Sequence, residues 1–226
     1  MRLRVVTYNV RSFRAGVGLA VEAVANGAPD LVMVQEYGPP HRLRWFARAL
    51  GMQAKTSFRP FNRMRNAVLW RAPWRLEDAT IGSLIKTPGQ YRRGFVAVTL
   101  VHPDGASLVA VGTHLGLSAR ERPAHAEELV GRLPATYPLI LGGDLNDTPD
   151  SAAVRRLTGA LNDCQATAGD ATAPTFPSSA PRTRFDYVLV SAGVRPVSCR
   201  VAVSPAAARA SDHLPVIAEV ELLPRA

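Results

Sequence analysis

Apolar and polar positions alternate along the chain in two periods. Residues 3–8 alternate every second position and include β-branched side chains, which indicates a half-buried strand. Between Val17 and Val24 the apolar residues recur at spacings of three and four, which is the helical period. Residues 30–36 then form a nearly continuous apolar run that ends in a carboxylate. This order of strand, helix and strand predicts a layered α/β unit.

The same periods predict the remaining elements. Further helices are predicted at residues 39–51, 118–133 and 151–161, the last with Asp150 as its N-cap. Further strands are predicted at residues 52–58, 66–70, 74–81, 94–102, 107–113, 139–141, 184–190 and 194–203, and directly after His213. Residues 166–182 lack periodicity and are predicted to form a long surface loop that borders a functional site, and a loop of small residues is expected after residue 203.

Polar side chains with ligand chemistry stand where the predicted strands begin or end. They are Asn9, Glu36, His114, Asp144, Asn146, Asp186, Asp212 and His213. Loops at strand ends commonly carry catalytic groups. Asp144 and Asn146 are two residues apart, so in extended backbone both would face one cavity. Taken singly, each has a structural alternative: an Asx-rich turn at residues 144–147, a turn cap at Asn9, a solvated strand end at Glu36 and a hydrogen-bonded structural histidine at position 114.

This set of residues is rich in oxygen ligands. Carboxylates and amides without a thiolate set favour Mg²⁺, or Mn²⁺ in its place, over zinc. The five histidines contain no His-x-His pair of the kind that zinc and di-iron hydrolases use. Asp186 lies in an otherwise apolar strand, and a buried carboxylate needs a partner, so we expect it to hold a histidine.

Length and composition limit the domain number, the kind of partner and the location of the protein. Of 226 residues, 47% are apolar and 20% charged, and no linker-like segment divides the chain, so a single domain over residues 1–226 is expected. The formal charge of +9 favours a polyanionic partner, although 25 of the 27 basic residues are arginine, which could equally reflect genomic base composition. Cys164 and Cys199 are expected to be free. With no signal peptide and no membrane span in the sequence, we expect a cytoplasmic monomer.

One predicted loop is strongly basic. Residues 59–65 carry Arg59, Arg63 and Arg65 beside an aromatic residue, and Arg92 with Arg93 precedes a later strand. Such clusters suit phosphate contacts, while a loop kept soluble by its charges is the alternative.

Six short blocks together resemble the endonuclease/exonuclease/phosphatase superfamily. They are Thr7-Tyr-Asn9-Val, Val34-Gln-Glu36, Gly112-Thr-His114-Leu, Gly142-Gly-Asp144-Leu-Asn146, Phe185-Asp186-Tyr-Val and Ser211-Asp212-His213-Leu-Pro, and they occur in the order of that family. The resemblance implies an α/β (α+β) fold, a four-layer α/β/β/α sandwich of two packed mixed β-sheets flanked by helices, with the site at the mouth between the sheets.

The resemblance also implies roles for these residues. Glu36 is expected to be the main Mg²⁺ ligand, supported by Asn9 and Asp212. Asp144 is expected to orient and deprotonate the attacking water, and Asn146 to hold the phosphate or the water. His213, fixed by Asp186, is expected to bind the scissile phosphate, and His114, which replaces the tyrosine of the abasic-site endonucleases, to assist the leaving group.

The function expected from these roles is Mg²⁺-dependent hydrolysis of a phosphoester, most simply a phosphodiester in nucleic acid. Arg63, Arg65, Asn66 and Arg93 are expected to contact that substrate. The alternatives are a sphingomyelinase-like phospholipid hydrolase, a hydrolase of small phosphate esters, and a non-catalytic phosphate-binding relative.

Overall fold

The computed structural model describes residues 1–57, 64–134 and 137–224. Its strands are β1 (Arg2–Asn9), β2 (Leu31–Gln35), β3 (Met52–Thr56), β4 (Ala67–Arg71), β5 (Arg75–Ser83), β6 (Gly94–Val101), β7 (Ser107–His114), β8 (Leu139–Asp144), β9 (Asn162–Asp163), β10 (Asp186–Val190), β11 (Val194–Val201) and β12 (Val216–Leu222). Its α-helices are α1 (Val17–Ala25), α2 (Pro40–Ala49), α3 (Arg122–Val130), α4 (Ala152–Thr158), α5 (Cys164–Ala168) and α6 (Pro205–Ala210), and a short 3₁₀ helix covers Arg11–Phe13.

The strands form two six-stranded mixed sheets. The order in the first sheet is β11-β12-β1-β2-β4-β3, and in the second it is β5-β6-β7-β8-β10-β9. Each sheet has one parallel pair at its centre, β1 with β2 and β7 with β8, and its other neighbours are antiparallel. Because the strands of a parallel pair run in one direction, their carboxyl ends lie at the same edge of the sheet.

Three apolar cores separate four layers. Between the sheets, side chains such as Val5, Met33 and Val188 are fully buried. Helices α1, α2 and α6 cover the outer face of the first sheet through residues such as Phe46. Helices α3 and α4 cover the second sheet through residues such as Leu129. The four-layer α/β/β/α sandwich implied by the sequence is confirmed.

Glycine in β8 allows the two sheets to approach closely. A Cβ placed on Gly142 would lie 3.0 Å from Cβ of Met33 and 3.1 Å from Cβ of Thr7, both in the facing sheet. Strand β8 is therefore longer than the predicted 139–141 and continues through both glycines to Asp144.

Two parts of the chain predicted as loops contain helices. The small-residue segment after residue 203 forms α6, because the Ser204 side chain caps the backbone N–H of Ala207 and the alanines pack against α1. Helix α5 occupies the start of the predicted loop at 166–182. The cap of α4 is Ser151 and not Asp150, since Ser151 Oγ accepts from Val154 N. Both cysteines are free, and in the described ranges no helix is long and apolar enough to cross a bilayer.

Candidate active site

The predicted polar residues converge because of strand register. Asn9 pairs with Gln35 across the parallel strands β1 and β2, so Glu36 lies one residue beyond that pair. His114 pairs with Asp144 across β7 and β8. The ends of the central strands of both sheets thus open into one mouth between the layers.

Asp144 lies at the centre of the site and is almost fully buried. Its Oδ2 accepts a hydrogen bond from Asn9 Nδ2 at 2.9 Å, and its Oδ1 accepts from the backbone N–H of Asn146, also at 2.9 Å. Oδ2 also lies 3.3 Å from His114 Nε2 and 3.7 Å from His213 Nε2. Burial raises the pKa of this carboxyl to about 6, although the His213 charge opposes the rise.

His213 and Asp186 form the pair expected from the sequence. Nδ1 of His213 lies 2.8 Å from Oδ2 of Asp186, a residue with no exposed surface. Burial alone would lower the pKa of His213, but the negative charges of Asp186 and Asp144 outweigh it and raise the pKa to about 10. His213 is therefore an imidazolium at neutral pH, and its Nε2–H faces Asp144.

His114 is held in the neutral form. Arg93 Nη1 lies 2.9 Å from His114 Nδ1, and because a guanidinium can only donate, Nδ1 accepts and the ring proton is on Nε2. Burial, followed by the positive charges of Arg93 and His213, lowers the pKa of His114 well below its usual value. With the proton on Nε2, the acceptor beside it is Asp144 Oδ2 at 3.3 Å, and Asn146 Nδ2, itself a donor, donates to the Leu115 carbonyl oxygen at 3.1 Å.

The backbone at Glu36 and Asn146 is left-handed, with φ of 53° and 51°. This conformation is unfavourable for residues other than glycine and is found mainly where the surrounding structure enforces it, as at active sites. At Glu36 the backbone carbonyl accepts from Ser12 N at 2.7 Å. At Asn146 an Asx turn, in which the backbone N–H of Asn146 donates to Asp144 Oδ1, replaces the extended geometry expected for residues 144–146.

Asp212 lies beside Asn9 but is engaged in an ion pair. Its Oδ2 is 3.1 Å from Arg11 Nε, and Ser211 Oγ is 3.3 Å from its Oδ1. Ser211 Oγ also donates to the Asn9 backbone carbonyl at 2.6 Å, which ties the segment before β12 to the end of β1. Asn9 Oδ1 accepts from Arg11 N at 3.1 Å.

A cavity of about 460 Å³ opens from this cluster. Its lining includes Glu36, His114, Arg65, Asn66, Arg92 and Arg93. Arg65 before β4 and Arg92 and Arg93 before β6 therefore border one mouth. Asn66 is buried and donates from Nδ2 to the Gly94 carbonyl oxygen at 2.7 Å. Arg59 and Arg63 lie outside the described residues.

Two neighbours of the site were not predicted. Arg11, the partner of Asp212, stands two residues after Asn9, and its position beside a strand-end amide was the available signal. Phe176 comes from the long segment after α5, and its ring centroid lies 4.9 Å from that of His213. The sequence predicts that this segment borders the site but does not identify the phenylalanine.

Two groups of residues offer ligand atoms for a cation. In the first, Asp144, Asp186 and His213 have ligand atoms within 4.8 Å of one another. A protonated imidazole has no free lone pair, so the state favoured for His213 cannot ligate a metal. The second is Glu36 alone, whose carboxylate lines the cavity, attracts the charge of Arg93, and forms no hydrogen bond or ion pair within the described part of the chain. A carboxylate without a partner at a polar mouth fits a hard divalent ion.

Comparison with known proteins identifies the family. A family model described as the Endonuclease/Exonuclease/phosphatase family matches residues 6–213, which include five of the six sequence blocks and the first three residues of the sixth. The chain belongs to this family. Its members are metal-dependent phosphoester hydrolases, and the chain is an enzyme of that class. The family resemblance stated from the sequence is thereby confirmed.

Solved structures of the same fold span the whole chain. An endonuclease/exonuclease/phosphatase from Bacteroides vulgatus is 19% identical with a TM-score of 0.85 over 98% of this chain and 99% of its own. A mannosyl-6-phosphatase from Bacteroides thetaiotaomicron is 21% identical, with a TM-score of 0.82 over 98% and 100%. TDP2 from D. rerio, complexed with a single-strand DNA product, is 18% identical with a TM-score of 0.78 over 97% and 99%. No curated protein sequence matches the chain significantly.

Proposed function

We propose that the chain is a Mg²⁺-dependent phosphodiesterase that acts on nucleic acid by in-line attack of water. The observation that carries this proposal is a buried set of three side chains at the mouth. The protonated imidazole of His213 lies between the carboxylates of Asp186 and Asp144. A fixed cation can bind a phosphate, and a nearby carboxylate with a raised pKa can accept a proton from water. Both contribute to hydrolysis of a phosphoester by water.

Asp144 is the proposed general base. Hydrogen bonds from Asn9 and Asn146 fix its carboxylate, so the attacking water would meet an oriented acceptor. A pKa of about 6 leaves most of the carboxyl ionised at neutral pH while bringing its basicity closer to that pH.

His213 and His114 take different proposed roles because their charges differ. The His213 imidazolium binds the scissile phosphate and stabilises its developing charge, and Asp186 keeps it charged and oriented. His114 is neutral, and its Nε2–H faces Asp144 Oδ2 at 3.3 Å, from where it would donate to the leaving oxygen.

Glu36 would hold the metal ion, with Asn9 and Asp212 in support. A bound Mg²⁺, or Mn²⁺ in its place, supplies Lewis-acid polarisation of a phosphoryl oxygen. Asp212 would have to exchange its Arg11 partner for this role, whereas the Glu36 carboxylate has no partner to lose within the described residues.

The deciding experiment is hydrolysis of bis-p-nitrophenyl phosphate by the whole chain, measured with Mg²⁺, with Mn²⁺ and with EDTA. We expect turnover with either metal and none with EDTA. A labelled single-stranded oligonucleotide and mannose 6-phosphate, assayed in parallel, separate a nuclease from a hydrolase of small phosphate esters. Turnover that persists in EDTA would overturn the metal assignment, and cleavage of the sugar phosphate alone would overturn the nuclease assignment.

A phospholipid substrate is the second candidate, favoured by apolar side chains at the mouth. Tyr91 and Leu117 line the cavity with 63% and 56% of their surfaces exposed, where an apolar leaving group could pack. Hydrolysis of p-nitrophenylphosphorylcholine in preference to the bis ester would favour this branch.

A further inference from the structure

The net charge of the protein is concentrated in one segment. Residues 37–76 contain eight arginines, one lysine and no acidic residue, whereas the rest of the chain holds 18 basic and 18 acidic residues. The whole formal excess of +9 therefore belongs to this segment, which begins directly after Glu36. A general bias towards arginine would not remove every carboxylate from this stretch, so its charge favours a polyanionic partner.

Helix α2 presents the charged side of this segment to solvent. Its inner face buries Leu43, Phe46 and Ala47, and its outer face exposes His41, Arg44, Trp45 and Arg48. Arg44 and Arg48 are four residues apart, so their side chains emerge on one side, about one helical turn from each other. Trp45 belongs to the same outer face, lies on the side of that face towards Gly18 of α1, and has half of its surface exposed.

A groove of about 940 Å³ runs between α2 and the edge strand β3. Arg44 and Arg48 line it together with His41, Gln53 and Thr56. Neither arginine forms an ion pair with any part of the chain that the structure describes. Cations without carboxylate partners along a groove are complementary to a run of phosphates.

This groove starts near the catalytic mouth. Gly38, two residues before the first turn of α2, lines the cavity that contains Glu36 and His114. Arg42 ties the helix to the loop beside the mouth, since its Nη1 donates to the Ser12 carbonyl oxygen at 2.9 Å. The ten residues of α2 then extend about 15 Å from this point.

We propose that the outer face of α2 binds the phosphate backbone of a single-stranded nucleic acid whose scissile phosphate occupies the mouth. This inference rests on the proposed phosphodiesterase function and adds a binding surface outside the catalytic cluster. Arg44 and Arg48 contact phosphates, and Trp45 stacks on an unpaired base, a combination that suits single strands. A membrane surface fits less well, because Trp45 is the one large apolar side chain on this outer face.

The test is binding of a fluorescein-labelled single-stranded oligonucleotide to the metal-free whole chain in EDTA, followed by anisotropy over a series of NaCl concentrations. The absence of divalent metal prevents cleavage, so binding is read without turnover. We expect Arg44→Ala with Arg48→Ala to lower the logarithmic salt slope by about 1.4, since each single-strand phosphate contact contributes about 0.7. We expect Trp45→Ala to weaken binding about fivefold or more, and Trp45→Phe to retain most of it.

The matched control is Arg200→Ala with Arg209→Ala. Both residues are exposed, and Arg200 lies on β11, the opposite edge strand of the same sheet from β3. This control changes the net charge equally but should leave the slope near that of the wild type.

Equal salt slopes in the α2 variant and the control would overturn the proposal, while hydrolysis of bis-p-nitrophenyl phosphate would still report on the proposed function. The proposal would also fail if the α2 variant bound the oligonucleotide normally but lost binding to phosphatidylserine vesicles. Conversely, an α2-dependent salt slope in a protein that hydrolyses no phosphodiester would support the surface and contradict the proposed function.

Discussion

Asp144 is a buried carboxylate surrounded by two asparagines and two histidines with different charges. We predict that Asp144→Asn lowers turnover of a phosphodiester by about 10² to 10⁴, because an amide cannot accept the proton of the attacking water. Steady-state kinetics of the variant should show a smaller change in KM than in kcat. Asp150→Asn is the control, since Asp150 is exposed in the same loop. Turnover within a few-fold of the wild type would move the base to another residue.

Asp186 sets the charge of His213. We predict that Asp186→Asn lowers the pKa of His213 from about 10, since the largest favourable charge beside the ring is removed. NMR titration of the ring protons measures this directly. The surface pair His102 and Asp104, 2.7 Å apart, provides the control, because Asp104→Asn should leave the His213 titration unchanged.

The pair of His213 and Asp186 also makes the stability of the fold depend on pH. The pKa of folded His213 is above its unfolded value of about 6.5, so its contribution is complete below pH 6.5 and is lost as pH rises through 10. We expect this alkaline loss to be absent in Asp186→Asn, which should also be less stable by about 3 to 5 kcal/mol at neutral pH, as is usual when a buried pair is broken. Urea denaturation between pH 6 and 10 tests both expectations: parallel plots of stability against pH for the two proteins would contradict the first, and equal stability at neutral pH would contradict the second.

At the scale of elements, the close contact at Gly142 fixes how β8 packs on β1 and β2. We predict that Gly142→Val destabilises the protein by about 1 to 3 kcal/mol, because the added carbons would press on Met33 and Thr7. The urea midpoint measures the loss. Gly131→Ala is the control, since a Cβ there meets its nearest neighbour at an ordinary 3.5 Å, and a similar loss in both variants would show that packing between the sheets is not the cause.

The pairing of strands also explains how short blocks scattered over the sequence form one site. Strand register determines which residues lie next to each other. The pairing of β1 with β2 aligns Asn9 with Gln35, and the pairing of β7 with β8 aligns His114 with Asp144. A slip of one residue in either pair would send one partner to the opposite face of its sheet.

For the whole molecule, binding of a metal at the mouth should be visible as stability. We predict that Mg²⁺ raises Tm of the wild type, by roughly 5 to 10 °C at a concentration of about 100 times Kd, because a ligand that binds only the folded state stabilises it by mass action. Glu36→Gln should abolish the rise, whereas Glu22→Gln, an exposed change on α1, should not. Thermal melts of each variant with and without Mg²⁺ measure this increase in Tm. The same increase in Glu36→Gln as in the wild type would exclude Glu36 as the principal ligand.

The sequence by itself determined the layered fold and most of the polar residues at the mouth. Alternation and helical periodicity are short-range properties of the backbone, so strands such as β6 and β7 and the helix near residues 17–25 are found where the pattern predicts them. Asn9, Glu36, His114 and Asp144 were identifiable because each interrupts or ends an apolar run.

The tertiary structure decided the features that depend on contacts between distant residues. Helix α6 forms in an alanine-rich segment because α1 supplies the face on which it packs. The contact of Arg93 with His114, 21 residues apart, makes one histidine neutral, while Asp186 makes the other cationic. The left-handed backbone at Glu36 is likewise imposed by its surroundings. No local pattern encodes the two histidine charge states, because burial and neighbouring charges, which arise only in the folded chain, determine them.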